Sequence, residues 1–130
     1  MIDVSCALII SHNGQVLVAQ RSLNMHLPLK WEFPGGKVEP GESAGECLIR
    51  EIREELGVEI KIVKKMSPVV YDQGKQIIRL IPFQCVLVRG QVKLTEHAAF
   101  LWLEPAALST LDWAEADIPV VQNFMRDVML

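Results

Sequence analysis

Little in this chain suits an oxidising compartment or a membrane. Only three cysteines occur, Cys6, Cys47 and Cys85, and no two stand in a C-x-x-C spacing. That excludes a disulfide framework and leaves reduced, buried thiols. No apolar run is long. Val4 to Ile10 is too short to span a bilayer and lacks a basic flank and a small-residue cleavage site. A cytoplasmic protein that does not meet a membrane is therefore expected. Positive charge is not in excess either. The net charge of −3 argues against general affinity for a nucleic acid polymer. Repeats, low-complexity tracts and linkers are absent, so residues 1–130 read as a single domain. The 50% hydrophobic content fits a packed core and not a disordered chain.

What the chain does have is concentrated in GGKVEPGESAGECLIREIREELGV, Gly35 to Val58. Ser43-Ala44-Gly45-Glu46 has the form of a capping box, and Gly57 is placed to end a helix in a left-handed conformation. The helix is expected from Ala44 to Leu56. At about 100° per residue, Ala44, Leu48, Ile52 and Leu56 fall on one stripe, with Ile49 at its edge. Glu51, Glu54 and Glu55 share a neighbouring arc of roughly 100°. One side of the helix docks on a core while the next presents three carboxylates. Such a face is either solvated and balanced by Arg50, Arg53 and Lys37, or it is a hard-cation site. Mg²⁺ takes oxygen ligands and commonly binds through a few carboxylates together with substrate phosphates. An acidic protein handling phosphate esters needs such a cation as a bridge.

The same stretch fits G-x5-E-x7-R-E-U-x-E-E-x-G-U, with U a bulky aliphatic residue, at Gly36, Glu42, Arg50, Glu51, Ile52, Glu54, Glu55, Gly57 and Val58. At average usage the fixed positions coincide by chance about once in 10⁹ starting points. The stretch resembles the Nudix box, the signature of hydrolases that cleave a nucleoside diphosphate linked to another group. Trp31-Glu32-Phe33-Pro34-Gly35-Gly36-Lys37 is similar to the corresponding run of MutT-type members.

The remaining chain reads as strands and short helices. Strands are expected at Asp3 to Ile10 and Gln15 to Gln20, joined by a turn at Asn13-Gly14. Ser22 to Lys30 is a loop at the rim of a cleft. Val58 to Met66 is a strand. Val69 to Asp72 and Lys75 to Val88 form a second hairpin, in which Pro82 suggests an edge or a bulge. Short strands follow at Gln91 to Leu94 and Phe100 to Leu103, then a short helix from Glu104 to Leu111. A closing helix from Ala116 to Leu130 turns Val120, Val121, Phe124, Val128 and Leu130 inward. The fold class is α+β. The resemblance implies a Nudix fold, a mixed sheet sandwiched between helices (α/β/α) with the box as loop–helix–loop.

The resemblance also implies a chemistry. The substrate is a small nucleotide, and Mg²⁺, with Mn²⁺ a possible substitute, is held by Glu51, Glu54, Glu55, Glu96 and the Gly35 carbonyl. Glu51, Glu55 and Glu96 are alternatives for the general base. Arg50 orients a carboxylate, and Glu42 serves the loop or the outer sphere of the metal. Arg21 stands eleven residues before Glu32, as in MutT-like members, and belongs near substrate. Phe33 is a wall for a base or plain core, and Lys37 a phosphate contact or a counter-charge. Gln76 or Arg79 reaches a nucleoside from the second hairpin, while His97 matches no family position. Asp117 is a departure. MutT-type enzymes that read oxidised guanine carry Asn there, whereas ionised Asp only accepts hydrogen bonds. That suits a cytosine amino group or the N–H edge of a guanine and leaves the base open; Asp117 also suits a helix N-cap. The expected activity is MutT-like pyrophosphohydrolysis of a nucleoside triphosphate of the 8-oxo-dGTP type. CTP, dCTP or a modified pyrimidine is the alternative, and a non-catalytic nucleotide-binding module the rival of another class. Oligomeric state is left open.

Overall fold

The computed structural model describes residues 1–128. One mixed sheet forms its centre. The strands are β1 (Ile2–Ile10), β2 (Val16–Gln20), β3 (Trp31–Glu32), β4 (Gly35–Lys37), β5 (Glu59–Lys65), β6 (Val69–Asp72), β7 (Ile77–Arg89) and β8 (Ala99–Leu103). The main path runs β3-β2-β1-β7-β5, with β4 on β1, β6 on β7 and β8 on β2. β1 and β7 are parallel and in register from Ile2↔Ile78 to Ile10↔Val86. The other pairings are antiparallel.

Alternation along the strands sorts the core into two faces. Cys6 and Leu8 of β1, Val16 and Val18 of β2, and Ile78 and Leu80 of β7 pack with Val120, Val121 and Phe124 of helix α2 (Ile118–Val128). Ala7, Ile9, Leu17, Ile81, Phe83 and Cys85 point the other way, onto Leu48, Ile52 and Leu56 of helix α1 (Ala44–Leu56). Nudix-type α/β/α layering follows from that alternation.

Helix α1 begins and ends where its local sequence dictates. Ser43 accepts the Glu46 N–H, Glu46 accepts the Ser43 N–H, and Gly57 at φ 68° sends its N–H to the Arg53 carbonyl. Elsewhere the expectations need correcting. Gln91 to Leu94 forms no strand. The segment closes the C-terminal end of α1, with Lys93 N–H donating to the Leu56 carbonyl at 2.9 Å and Thr95 N–H to the Glu55 carbonyl at 3.2 Å. These are carbonyls that a helix end leaves unpaired. Pro82 lies in an interior strand, not an edge. Its carbonyl accepts the Met66 N–H at 2.9 Å, on the side where β6 has ended and β5 begins. In an extended residue N–H and C=O point the same way, so the missing donor costs no bond to β1. The bulge lies nearby in β5, between Ile62 and Lys64. Glu104 to Leu111 forms a 3₁₀ segment at Pro105–Thr110, and a second one, Glu115–Asp117, precedes α2. Val128 is 44% exposed and not inward-facing; Leu130 lies outside the described residues. Among the described residues no helix is long and apolar enough to cross a membrane.

Candidate active site

Two glycines let the loop before α1 lie against the sheet. A Cβ on Gly35 would overlap the Ser5 carbonyl oxygen of β1, and one on Gly36 would stand 2.6 and 2.7 Å from the Glu51 carboxylate oxygens. A side chain at Gly35 would push the loop off β1, and one at Gly36 would displace the Glu51 carboxylate. The Cys47 thiol fills the space below, near the Lys37 carbonyl at 3.3 Å and accepting from Ser5 Oγ at 3.2 Å.

Beside this loop lies a cleft of about 300 Å³. Of the residues expected in a site, Arg21, Phe33, Gly35, Lys37, Glu55, Gln76, Glu96 and Asp117 line it. Arg79 does not. Its guanidinium forms a two-point pair with Asp3, at 2.9 and 2.8 Å, across the β1–β7 ladder. Glu51 and Glu54 stand outside the lining. Arg50 takes Glu51 at 2.9 Å and approaches Glu54, 62% exposed, at 3.5 Å. The same guanidinium grips Glu42 at 3.1 and 2.7 Å. Together with the Glu39 N–H, it holds the Glu42 carboxyl down at about 2.

Glu55 is the opposite case. Burial first, then the neighbouring Glu51, Glu32 and Glu96 carboxylates, push it up to about 9. No cation pairs with it at hydrogen-bond distance among the described residues, and its Oε2 is buried without a partner. Glu96 and His97 are placed over α1 by their loop. Thr95 Oγ1 donates to the Glu54 carbonyl at 3.1 Å, and Ala98 N–H to the Gln20 carbonyl at 2.9 Å.

Glu32 is the site residue that sequence reasoning passed over, and His97, a weaker candidate beside Glu96, is brought to it. Glu32 accepts from Arg21 Nη1 at 2.6 Å and lies 2.8 Å from His97 Nε2. The run Trp31 to Lys37 already contained Glu32, which served there only to count spacing. Nothing in the sequence joins it to a histidine 65 residues on. Arg21 also donates through Nε to the His26 carbonyl, so it ties the rim loop to Glu32.

The far end of the cleft is apolar. Phe33, 3% exposed, packs on Trp113 with ring centroids 4.8 Å apart, and Ile78, Leu80 and Ala116 continue the wall. Asp117 is set in this wall. Its Oδ2 accepts the Phe33 N–H at 2.8 Å, a bond from the link between β3 and β4, 84 residues away, and not from its own helix. Burial pushes Asp117 up to about 8, aided by Glu32 and opposed by the Phe33 N–H and Arg21.

The donor set at the acidic end suits a hard divalent cation. An unpartnered buried carboxylate oxygen among other carboxylates calls for positive charge. Among the described residues no three Asp, Glu, His or Cys side chains converge as a closed cage.

Comparison with known proteins finds relatives over nearly the whole chain. The model of the NUDIX domain matches residues 1–124. The chain is 38% identical over 125 residues to the CTP pyrophosphohydrolase of Escherichia coli (strain K12), covering 96% of this chain and 92% of that one. It is 35% identical over 114 residues to the putative 8-oxo-dGTP diphosphatase 2 of Mycobacterium tuberculosis (strain ATCC 25618 / H37Rv), covering 85% and 79%. The crystal structure of a MutT protein from Methanosarcina mazei Go1 is similar with a TM-score of 0.87 and 29% identity, over 98% of this chain and 94% of that one.

Proposed function

This chain belongs to the Nudix family of hydrolases acting on phosphoric anhydrides, and on that premise we propose that it splits a nucleoside triphosphate into the monophosphate and pyrophosphate. The observation that carries the reading is the two-ended cleft. Glu55, Glu96 and Lys37 form its charged part; Phe33, Ile78, Leu80 and Ala116, which share one apolar cluster, form the other with the buried Asp117 carboxyl. A nucleotide has that polarity, phosphates at one end and a base at the other.

Glu51, Glu54, Glu55 and Glu96, with the Gly35 carbonyl, would hold Mg²⁺, or Mn²⁺ in its place. Bound there, the ion would neutralise the phosphate chain and polarise a water. Arg50 keeps Glu42 and Glu51 in fixed orientation beside the loop. One of Glu51, Glu55 and Glu96 takes the proton of the attacking water. The water oxygen bonds to phosphorus, the bridge between the α and β phosphates breaks, and pyrophosphate leaves with Lys37 beside it. Fixed positions and compensated charge supply most of the rate. Gln76 at the hairpin tip, Phe33 and Asp117 meet the nucleoside.

The substrate proposed first is of the 8-oxo-dGTP type. A cytosine nucleotide is the second reading, supported by the 38% identity to a CTP pyrophosphohydrolase. Pyrophosphate release with Mg²⁺ on 8-oxo-dGTP, dCTP, CTP and 5-methyl-dCTP tests both. One of the four should stand at least tenfold above the rest in kcat/KM. Binding without release would make the chain a nucleotide sensor. Cleavage confined to nucleotide sugars or dinucleotides would move it to another Nudix class.

A further inference from the structure

His97 has a side chain only 2% exposed, yet one of its ring nitrogens has no hydrogen-bond partner. Its Nε2 meets Glu32 Oε2 at 2.8 Å. Glu32 also receives Arg21, so the carboxylate accepts and Nε2–H donates. In the neutral ring the lone pair is then on Nδ1. Nδ1 faces Glu55 Oε2 at 3.9 Å, and Oε2 is the other buried side-chain oxygen or nitrogen without a partner among the described residues. At 3.9 Å the two atoms are too far apart to bond directly. One water hydrogen-bonded to both would give each the partner it lacks.

We infer that His97 is the positioning residue of Glu55: the Arg21–Glu32 pair locks the imidazole, and Nδ1 fixes the Glu55 carboxylate through a bridging water. The inference rests on the reading above, in which Glu55 binds the cation. A half-buried carboxylate on a helix surface has two free torsions beyond χ1, and the neighbouring Glu51, Glu32 and Glu96 carboxylates repel it. Without a fixed acceptor-and-water partner it would spread over several orientations. Removing such an outer partner of a metal ligand typically costs 10–100-fold in metal affinity or activity. Arg21 also grips the His26 carbonyl, so the order of the rim loop and the aim of Glu55 share one chain of contacts.

The test compares His97→Gln with His97→Asn. Gln reaches toward Glu32 but places nothing where Nδ1 stood; Asn places an amide near Nδ1 and gives up Glu32. Mn²⁺ binding, read from loss of the free-ion EPR signal, is measured alongside kcat and KM for the nucleotide. In His97→Gln, Mn²⁺ affinity and kcat should each fall about 10–100-fold while KM moves by about twofold or less. His97→Asn should lose less. Glu32→Gln, at a partly exposed position, reports on the same link should His97→Gln fail to fold. An Mn²⁺ affinity within about twofold of wild type in the folded variant overturns the inference. If the wild-type protein itself binds no Mn²⁺, the proposed function fails with it; if wild type binds and His97→Gln binds equally well, only the role of His97 is lost.

Discussion

Glu42 and Glu55 belong to one short stretch and are chemically identical, yet they sit at opposite extremes. Glu42 is gripped twice by Arg50 and receives the Glu39 N–H, so its proton is lost near 2. Glu55 is half-buried beside three other carboxylates, with one oxygen fully buried and unpartnered, so its proton stays until about 9. The difference is not in the helix, which carries Arg50 one turn before Glu54 and Glu55. It lies in which way the guanidinium turns. Arg50 faces the loop and satisfies Glu42 and Glu51, and the inner carboxyl is left for something from outside. One carboxylate is spent on holding the loop, the other kept available.

The comparison breaks most severely at Glu55. Glu55→Gln keeps the shape and removes the charge, and hydrolysis should fall by about 10²–10⁴-fold, the span of a lost acid–base group. Its effect on stability should run the other way. Between pH 4.5 and about 9 the unfolded chain has released the Glu55 proton while the folded metal-free chain keeps it. The folded state then binds more protons, so stability falls as pH rises through that window. Asp117 adds the same trend between 3.8 and about 8. Thermal melts of metal-free protein should therefore drop from pH 5 to pH 8, less so in Glu55→Gln. A melting temperature that rises over that range would contradict both assignments.

Arg50→Gln attacks the other member of the pair. Freed from the guanidinium, the Glu42 carboxyl should climb from about 2 toward the ordinary range, visible by NMR titration, and activity should fall about 10–100-fold. At the base end, Asp117→Asn should shift the ratio of kcat/KM between a purine and a pyrimidine triphosphate by about tenfold. A uniform loss across all substrates would instead make Asp117 a brace for Phe33. The smallest effect lies at the cap of α1. Ser43→Ala should cost about 0.5–2 kcal/mol in denaturant unfolding and leave the proton affinities of Glu42 and Glu55 where they are.

Helix α1 was readable because its signals are local. Ser43, Glu46 and Gly57 act within one turn of the residues they cap. The apolar stripe needed only the helical period, and the layered fold followed from the resemblance and the alternation of the strands. Contacts between distant segments were not readable. Arg79 looked free to enter a nucleoside pocket, but a parallel ladder sets it opposite Asp3. Asp117 fitted a helix cap as well as a base contact, yet its bond goes to Phe33. Gln91 to Leu94 has strand composition, but the Lys93 N–H, and Thr95 N–H just after it, are drawn to the open end of α1. Glu32 and His97 become a pair only when β2, β3 and the loop before β8 are assembled.

The parallel register of β1 with β7 carries a consequence in time. Asp3 and Arg79, opposite one another in it, are 76 residues apart. Pairings that distant close late, because the chain entropy of the loop is paid before the contacts form. During synthesis β1, β2 and α1 leave the ribosome well before β7, His97 and Asp117. The acidic helix can form on its own signals, but the cleft cannot exist until the last third of the chain has arrived. Refolding should show this order: amide protection in α1 first, nucleotide binding only with β1–β7 closure.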